Sequence, residues 1–224
     1  MKTLKQSLVA LVVLVAIASC RKTPPVTVVV NPTANTASFS GLIIDGNLKV
    51  HLLPGTANSV DTAVAGVIVK FTIGHTAHIT GAGEITVYVN DVDTIISNGS
   101  TQLLAPSNLN LHHTILVSNG FSTCDVNLTV ADSLVFYANG AGPYKFTGST
   151  PRFNLRTSGF SYIQAYGLIS SDCDAKLNGA NTAEVYASHS LAVFIAGAGS
   201  LYYKGNPPTV SPITILGAGQ LIKK

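Results

Sequence analysis

Residues 191–208, L-A-V-F-I-A-G-A-G-S-L-Y-Y-K-G-N-P-P, and residues 213–224, I-T-I-L-G-A-G-Q-L-I-K-K, share one plan: an apolar, β-branched run, a glycine, then a second alternating run. That is the pattern of strand, tight corner and strand, because glycine accepts backbone conformations that other residues avoid. The plan recurs upstream. Corner glycines stand at Gly81, Gly99, Gly120, Gly140, Gly159, Gly179, Gly197 and Gly217, with successive spacings of 18, 21, 20, 19, 20, 18 and 20 residues.

Numbering each copy from its glycine separates an inner from an outer side. Four residues before the glycine stand Ile95, Leu116, Phe136, Leu155, Ala175, Val193 and Ile213. Four after it stand Leu103, Cys124, Tyr144, Ile163, Ala183, Leu201 and Leu221, and six after it Ala105, Val126, Phe146, Ala165, Val185, Tyr203 and Lys223. The column between these two reads Leu104, Asp125, Lys145, Gln164, Glu184, Tyr202 and Ile222, polar through the middle copies. Successive side chains of a strand point to opposite faces, so the apolar columns face a core and the column between them faces water.

A repeat of this length with several short strands and no helical period predicts an all-β parallel β-helix, a solenoid of about 20 residues per coil. Like positions would stack about 4.8 Å apart, and seven intervals give a stack of about 34 Å. Leucine-rich repeats share the period but not the frame, since L-x-x-L-x-L-x-x-N is missing. An antiparallel sandwich also suits strands at such spacing. Most middle corners turn through Asn-Gly (Asn98, Asn119, Asn139, Asn178), and stacked Asn amides can hydrogen-bond from coil to coil.

The chain has 224 residues, 46% of them apolar and only 10% charged, with no Trp. Lys2 and Lys5 precede an apolar run, Leu8 to Ala18, that is too short to span a bilayer and reads as a secretory signal. The run ends in Ile17-Ala18-Ser19-Cys20, which resembles a bacterial lipobox and implies lipidation at Cys20. Losing Lys2 and Lys5 leaves eleven basic residues against ten acidic ones, which offers no electrostatic basis for binding nucleic acid. Residues 1–20 are therefore read as the signal, 21–38, with Pro24, Pro25 and Pro32, as a linker, and 39–224 as one domain. Cys124 and Cys173 lie about two coils apart on different sides, too far for a disulfide, and are expected to be free thiols.

The closing G-A-G-S-L-Y-Y-K-G-N-P (197–207), the last Gly217-Ala218-Gly219-Gln220-Leu221 and the entry F-S-G-L-I-I-D-G-N-L-K-V-H-L-L-P-G (39–55) resemble the head GIN domain family, also called putative auto-transporter adhesins. The likeness covers roughly residues 37 to 224. Where family members repeat G-x-G in coil after coil, the middle coils here keep one glycine, as in Asn119-Gly120-Phe121. The resemblance implies a right-handed β-helix in the bacterial envelope and transfers no functional residues.

Seven or eight residues before the glycines, a polar column of Asp91, His112, His113, Asp132, Arg152, Asp172 and His189 is the most suggestive constellation. A straight column does not converge on one point as a metal site must, and polar residues collect at wet corners for no other reason. His75 and His78 point to opposite faces of a strand, so no metal or other cofactor is expected. Tyr203 is expected to fill an inward column and Tyr202 to cap the coil end. No G-x-S-x-G, P-loop or Cys-x-x-Cys appears.

These residues lead to a non-enzymatic, lipid-anchored envelope protein at the outer membrane, either of whose sides would serve. It would present an extended polar face to a glycan or a protein partner, with the Asp/His/Arg column as the place to look. A structural envelope scaffold and a carbohydrate-active enzyme of the polysaccharide lyase kind are the alternatives.

Overall fold

The structure, a computed structural model, describes residues 39–61, 64–72 and 75–224. The signal, the Cys20 motif and the linker lie outside the described residues. The chain is all-β, and among the described residues no helix occurs. Twelve strands follow in order: β1 (Gly41–Pro54), β2 (Ser59–Val60), β3 (Val67–Thr72), β4 (Thr76–Val89), β5 (Thr94–Gly99), β6 (Gln102–Phe121), β7 (Thr123–Gly179), β8 (Thr182–Tyr186), β9 (Ser190–Gly197), β10 (Ser200–Lys204), β11 (Thr209–Leu216) and β12 (Gln220–Lys223). They form one large, mostly parallel sheet. Only β2 and β3 run antiparallel to their neighbour, β4, which rules out an antiparallel sandwich.

Strand pairing follows the sequence columns. Ile95 faces Leu116 and Leu116 faces Phe136; Ile163, Ala183, Leu201 and Leu221 pair in succession. Leu116, Phe136, Leu155, Ala175 and Val193 are all buried, as are Leu103, Cys124, Tyr144, Ile163, Ala183 and Leu201. A slip of one residue would turn each of these side chains to water, so the core fixes the register. The core is most aromatic around Phe136, whose ring centroid lies 5.0 Å from that of Tyr144 and 4.8 Å from that of Phe146. The Tyr144 hydroxyl is buried but not orphaned, since Ser118 Oγ donates to it at 3.2 Å.

The order of repeats departs from expectation at the start of the chain. Gly81 does not neighbour Gly99: β1 lies between them, and Gly46 is the partner of both. The entry segment is itself a full repeat, with Leu42, Val50 and Leu52 buried in the same columns. The chain leaves β1, places β3 antiparallel against β4 with Val67, Val69 and Phe71 packed on the core, and then passes back beyond β1 into β5. The ladder therefore has nine glycines and a length of about 38 Å. At the opposite end, Ile213 is 49% exposed although its column mate Val193 is 3% exposed, because nothing among the described residues covers β11.

The corners also differ from tight turns. β6 runs unbroken through Gly120, and β7 through Gly140 and Gly159, so backbone pairing continues around the bend. Ala180 N–H donates to Gly159 O at 3.2 Å and Ala198 N–H to Gly179 O at 3.2 Å. Stacked backbones come so close here that a Cβ on Gly179 would lie 2.6 Å from Gly159 O, and the φ of Gly179 is 100°. Both facts exclude a side chain. The Asn residues before the glycines bond along the stack as expected: Asn119 Nδ2 donates to Asn98 Oδ1 at 2.8 Å and Asn139 Nδ2 to Asn119 Oδ1 at 3.0 Å. Asn98 Nδ2 ends the run by donating to Asp45 Oδ1 at 2.6 Å.

Cys124 and Cys173 are free and buried. Burial, aided by the adjacent Asp125, pushes the Cys124 thiol well up; burial and Asp174 push Cys173 to about 12. Neither forms thiolate at neutral pH.

Two measurements follow. Gly179→Ala is expected to cost at least about 2 kcal/mol through left-handed strain and the carbonyl clash, and Phe136→Ala about 3–5 kcal/mol, read as lower thermal midpoints. A thiol reagent at pH 7.5 is expected to leave the native protein unlabelled and to titrate both core cysteines after unfolding; rapid native labelling would contradict their burial.

Candidate functional site

Outward residues three, five and seven positions after each glycine form one continuous face. Over the last four repeats it is built from Tyr162, Gln164 and Tyr166, then Thr182, Glu184 and Tyr186 of β8, then Ser200, Tyr202 and Lys204 of β10, then Gln220 and Ile222 of β12, followed by Lys224. The pairing aligns Tyr162 with Thr182, Ser200 and Gln220, and Gln164 with Glu184, Tyr202 and Ile222. The buried partners Ile163, Ala183 and Leu201 alternate with these residues and hold their side chains outward.

A groove of about 470 Å³ runs across this face, lined by Tyr162, Tyr166, Thr182, Glu184, Tyr202, Lys204 and Lys224. The Tyr162 hydroxyl donates to Glu184 Oε1 at 3.1 Å. Lys204 Nζ lies 4.3 Å from the centre of the Tyr166 ring, and Lys224 Nζ lies 5.2 Å from that of Tyr202. Burial, then the charge of Glu184, raises the Tyr166 phenol above its ordinary value, so it stays protonated and able to donate. Aromatic faces, hydroxyls, a carboxylate and two ammonium groups thus meet over four adjacent strands.

Tyr203 lies inward and packs against the core, as its column required. Tyr202 was expected to cap the stack; it lines the groove instead, with Ile222 of β12 beyond it. The position seven after the glycine, Tyr166, Tyr186, Lys204 and Lys224, carries the sequence signal for this groove. It lies one residue beyond the last apolar column, so the core pattern does not mark it.

The Asp/His/Arg column is a line of pairs between neighbouring repeats. A ring nitrogen of His112 lies 2.8 Å from Asp91 Oδ2, and the His112 backbone N–H donates to Asp91 Oδ1 at 3.1 Å. His113 meets Ser133 Oγ at 2.6 Å and stands 4.0 Å from Asp132, whose other oxygen is 3.5 Å from Arg152 Nη1. Asp172 Oδ1 accepts from Ser190 Oγ at 2.5 Å and lies 2.7 Å from His189 Nδ1. Acid and base alternate along the column, and each charge is spent largely on its neighbour. His78 is likewise bonded to Asp45, while the His75 carbonyl accepts the backbone N–H groups of Ser40 and Gly41 at 2.9 and 3.1 Å. Among the described residues no three His, Cys, Asp or Glu side chains converge as a metal site would need.

Hydrogen bonds from Ser190 and His189 hold the Asp172 carboxyl below its usual range. Asp45 is also lowered: partial burial raises it, but bonds with His78 and Asn98 outweigh that. A carboxyl lowered on folding stabilises the native state above its unfolded value and loses that contribution as pH falls through the folded value. The thermal midpoint is therefore expected to fall below about pH 4, and to fall less steeply in Asp45→Asn. An unchanged slope in that variant would contradict the role given to Asp45.

A comparison with curated proteins finds no match. Among solved structures the chain is similar to a putative adhesin from Bacteroides fragilis NCTC 9343, with TM-score 0.77 and 19% identity over 91% of this chain and 98% of that one. It is also similar to a putative lipid binding protein from Parabacteroides distasonis ATCC 8503, with TM-score 0.62 and 14% identity over 91% and 98%. A putative adhesin from Parabacteroides merdae ATCC 43184 gives TM-score 0.57 and 13% identity over 90% and 95%. At these identities the likeness is one of fold. The family model described as putative auto-transporter adhesin, head GIN domain, matches residues 38–207. With three quarters of its length inside that match, the chain belongs to the putative auto-transporter adhesin, head GIN domain family.

Proposed function

We propose that this chain is a non-enzymatic binding module of the bacterial cell envelope, lipid-anchored through Cys20 at the outer membrane, folded as a right-handed parallel β-helix. The coil reading is supported by parallel pairing between residues about 20 apart, repeat after repeat. Membership of an adhesin-like family supports a role in binding and a place at the envelope or cell surface.

The observation that carries the reading is the groove in which Tyr162, Tyr166 and Tyr202 gather over neighbouring repeats beside Glu184, Lys204 and Lys224. Exposed rings flanked by a few placed polar groups are the usual make-up of a recognition surface. Such a surface suits a glycan or a protein on a neighbouring cell or matrix. The Asp/His/Arg column, largely satisfied by its own pairing, would contribute at most at its margin. Without a free acid–base pair there, it gives little support to a polysaccharide lyase.

A scaffold that packs against envelope neighbours is the second reading, favoured by Ile213, Ile215 and Leu216, which are exposed on the outermost strand β11. Adhesion separates the two. Cells expressing the chain are expected to adhere to matrix-coated surfaces more than cells lacking it, with the gain lost in the Tyr166→Ala/Tyr202→Ala double variant. Adhesion unaffected by deleting the chain, with cross-links to envelope proteins only, would overturn binding in favour of the scaffold. Incorporation of labelled palmitate that persists in Cys20→Ser would refute the anchor.

A further inference from the structure

Four cations among the described residues meet carboxylates, Lys70, Lys176 and Lys223 meet none, and the two in the groove are held by aromatic rings. Lys49 is matched by Glu84 at 3.1 Å, Lys145 by Asp125 at 3.2 Å, Arg152 by Asp132 at 3.5 Å and Arg156 by Asp174 at 2.7 Å, each acid coming from an adjacent strand or repeat. Lys204 and Lys224 are treated differently. Each ammonium rests over a tyrosine ring, and among the described residues neither has an ion-pair partner. The carboxylate that shares their groove, Glu184, accepts a hydrogen bond from Tyr162.

A ring face attracts a cation without cancelling its charge. The two lysines are therefore held in place, beside each other's repeats, with positive charge still facing the groove. Around them stand Tyr166 and Tyr202 as flat apolar surfaces, and Tyr162, Thr182 and Glu184 as hydrogen-bonding groups. A ligand that suits all three features needs apolar faces for the rings, hydroxyl or amide groups for Thr182 and Glu184, and negative charge for the ammonium groups.

Resting on the reading of this groove as the binding site, we infer that it takes an anionic saccharide, a chain of sugar units bearing carboxylates, laid across the strands from β7 toward β12. Uronate carboxylates meet Lys204 and Lys224, and sugar C–H groups pack against the parts of the Tyr166 and Tyr202 rings that the ammonium groups leave uncovered. Glu184 accepts from ring hydroxyls and disfavours a polyanion so dense that it would place a charge opposite it. The groove crosses four strand rows, about 14 Å from first to last, which accommodates a few sugar units rather than one.

The test uses the purified protein and two oligosaccharide probes of equal length, a hyaluronan hexasaccharide carrying carboxylates and a neutral N-acetylglucosamine hexasaccharide, with affinity read by calorimetry. The hyaluronan probe is expected to bind at least about tenfold more tightly, with affinity falling as salt rises. Lys204→Gln/Lys224→Gln and Tyr202→Ala are each expected to weaken it at least about tenfold. Lys49→Gln, on β1 and paired with Glu84, leaves it unchanged, and all variants keep the wild-type circular dichroism spectrum. Equal affinity for the two probes, or no effect of the lysine variants, overturns the anionic assignment. Binding of neither probe overturns the saccharide assignment itself, and cell adhesion that still depends on Tyr166 and Tyr202 in that case leaves the broader binding role standing.

Discussion

Backbone meets backbone at the glycine ladder, and the rest of the structure depends on that approach. At Gly46, Gly99, Gly120, Gly159, Gly179, Gly197 and Gly217 the chain adopts positive φ, and the glycine before each in the stack puts its carbonyl oxygen where a side chain would begin. Because no Cβ intervenes, the strand hydrogen bonds continue through the bend. The bend in turn holds each repeat to nearly constant length. Constant length is what brings apolar positions of different repeats into the same column, and the Asn98–Asn119–Asn139 bonds fix the spacing beside it.

Much of this was legible in the sequence, for a physical reason. A side chain's inward or outward direction depends only on its distance from a glycine, so periodic glycines reveal the buried columns, and Phe136, Tyr144 and Phe146 lie in them fully buried. Two features were harder to read. The segment Phe39–Gly55 has an Asp-Gly corner and the full set of inward residues, yet its place between β4 and β5 comes from long-range pairing of β1 with both strands, which leaves no trace in the spacing. Exposure of Ile213 and Ile215 likewise depends on position in the stack, which their column cannot express.

The candidate site was legible in part. Charge drew attention to Asp91, His112, His113, Asp132, Arg152, Asp172 and His189, but a list of charges does not say which are already matched, and these pair across the repeats. The tyrosines of the groove looked like fillers because three positions per repeat are enough to describe the core. What distinguishes the groove is that Lys204 and Lys224 lie over tyrosine rings.

Residue-resolved amide hydrogen exchange tests the central claim most directly. If the corners are hydrogen-bonded through glycine, the amides of Ser100, Ala180 and Ala198, which donate to Gly46, Gly159 and Gly179, exchange as slowly as those of the neighbouring strands. Exchange at these three amides as fast as at Asn206, in the loop after β10, would show ordinary open turns and contradict the account.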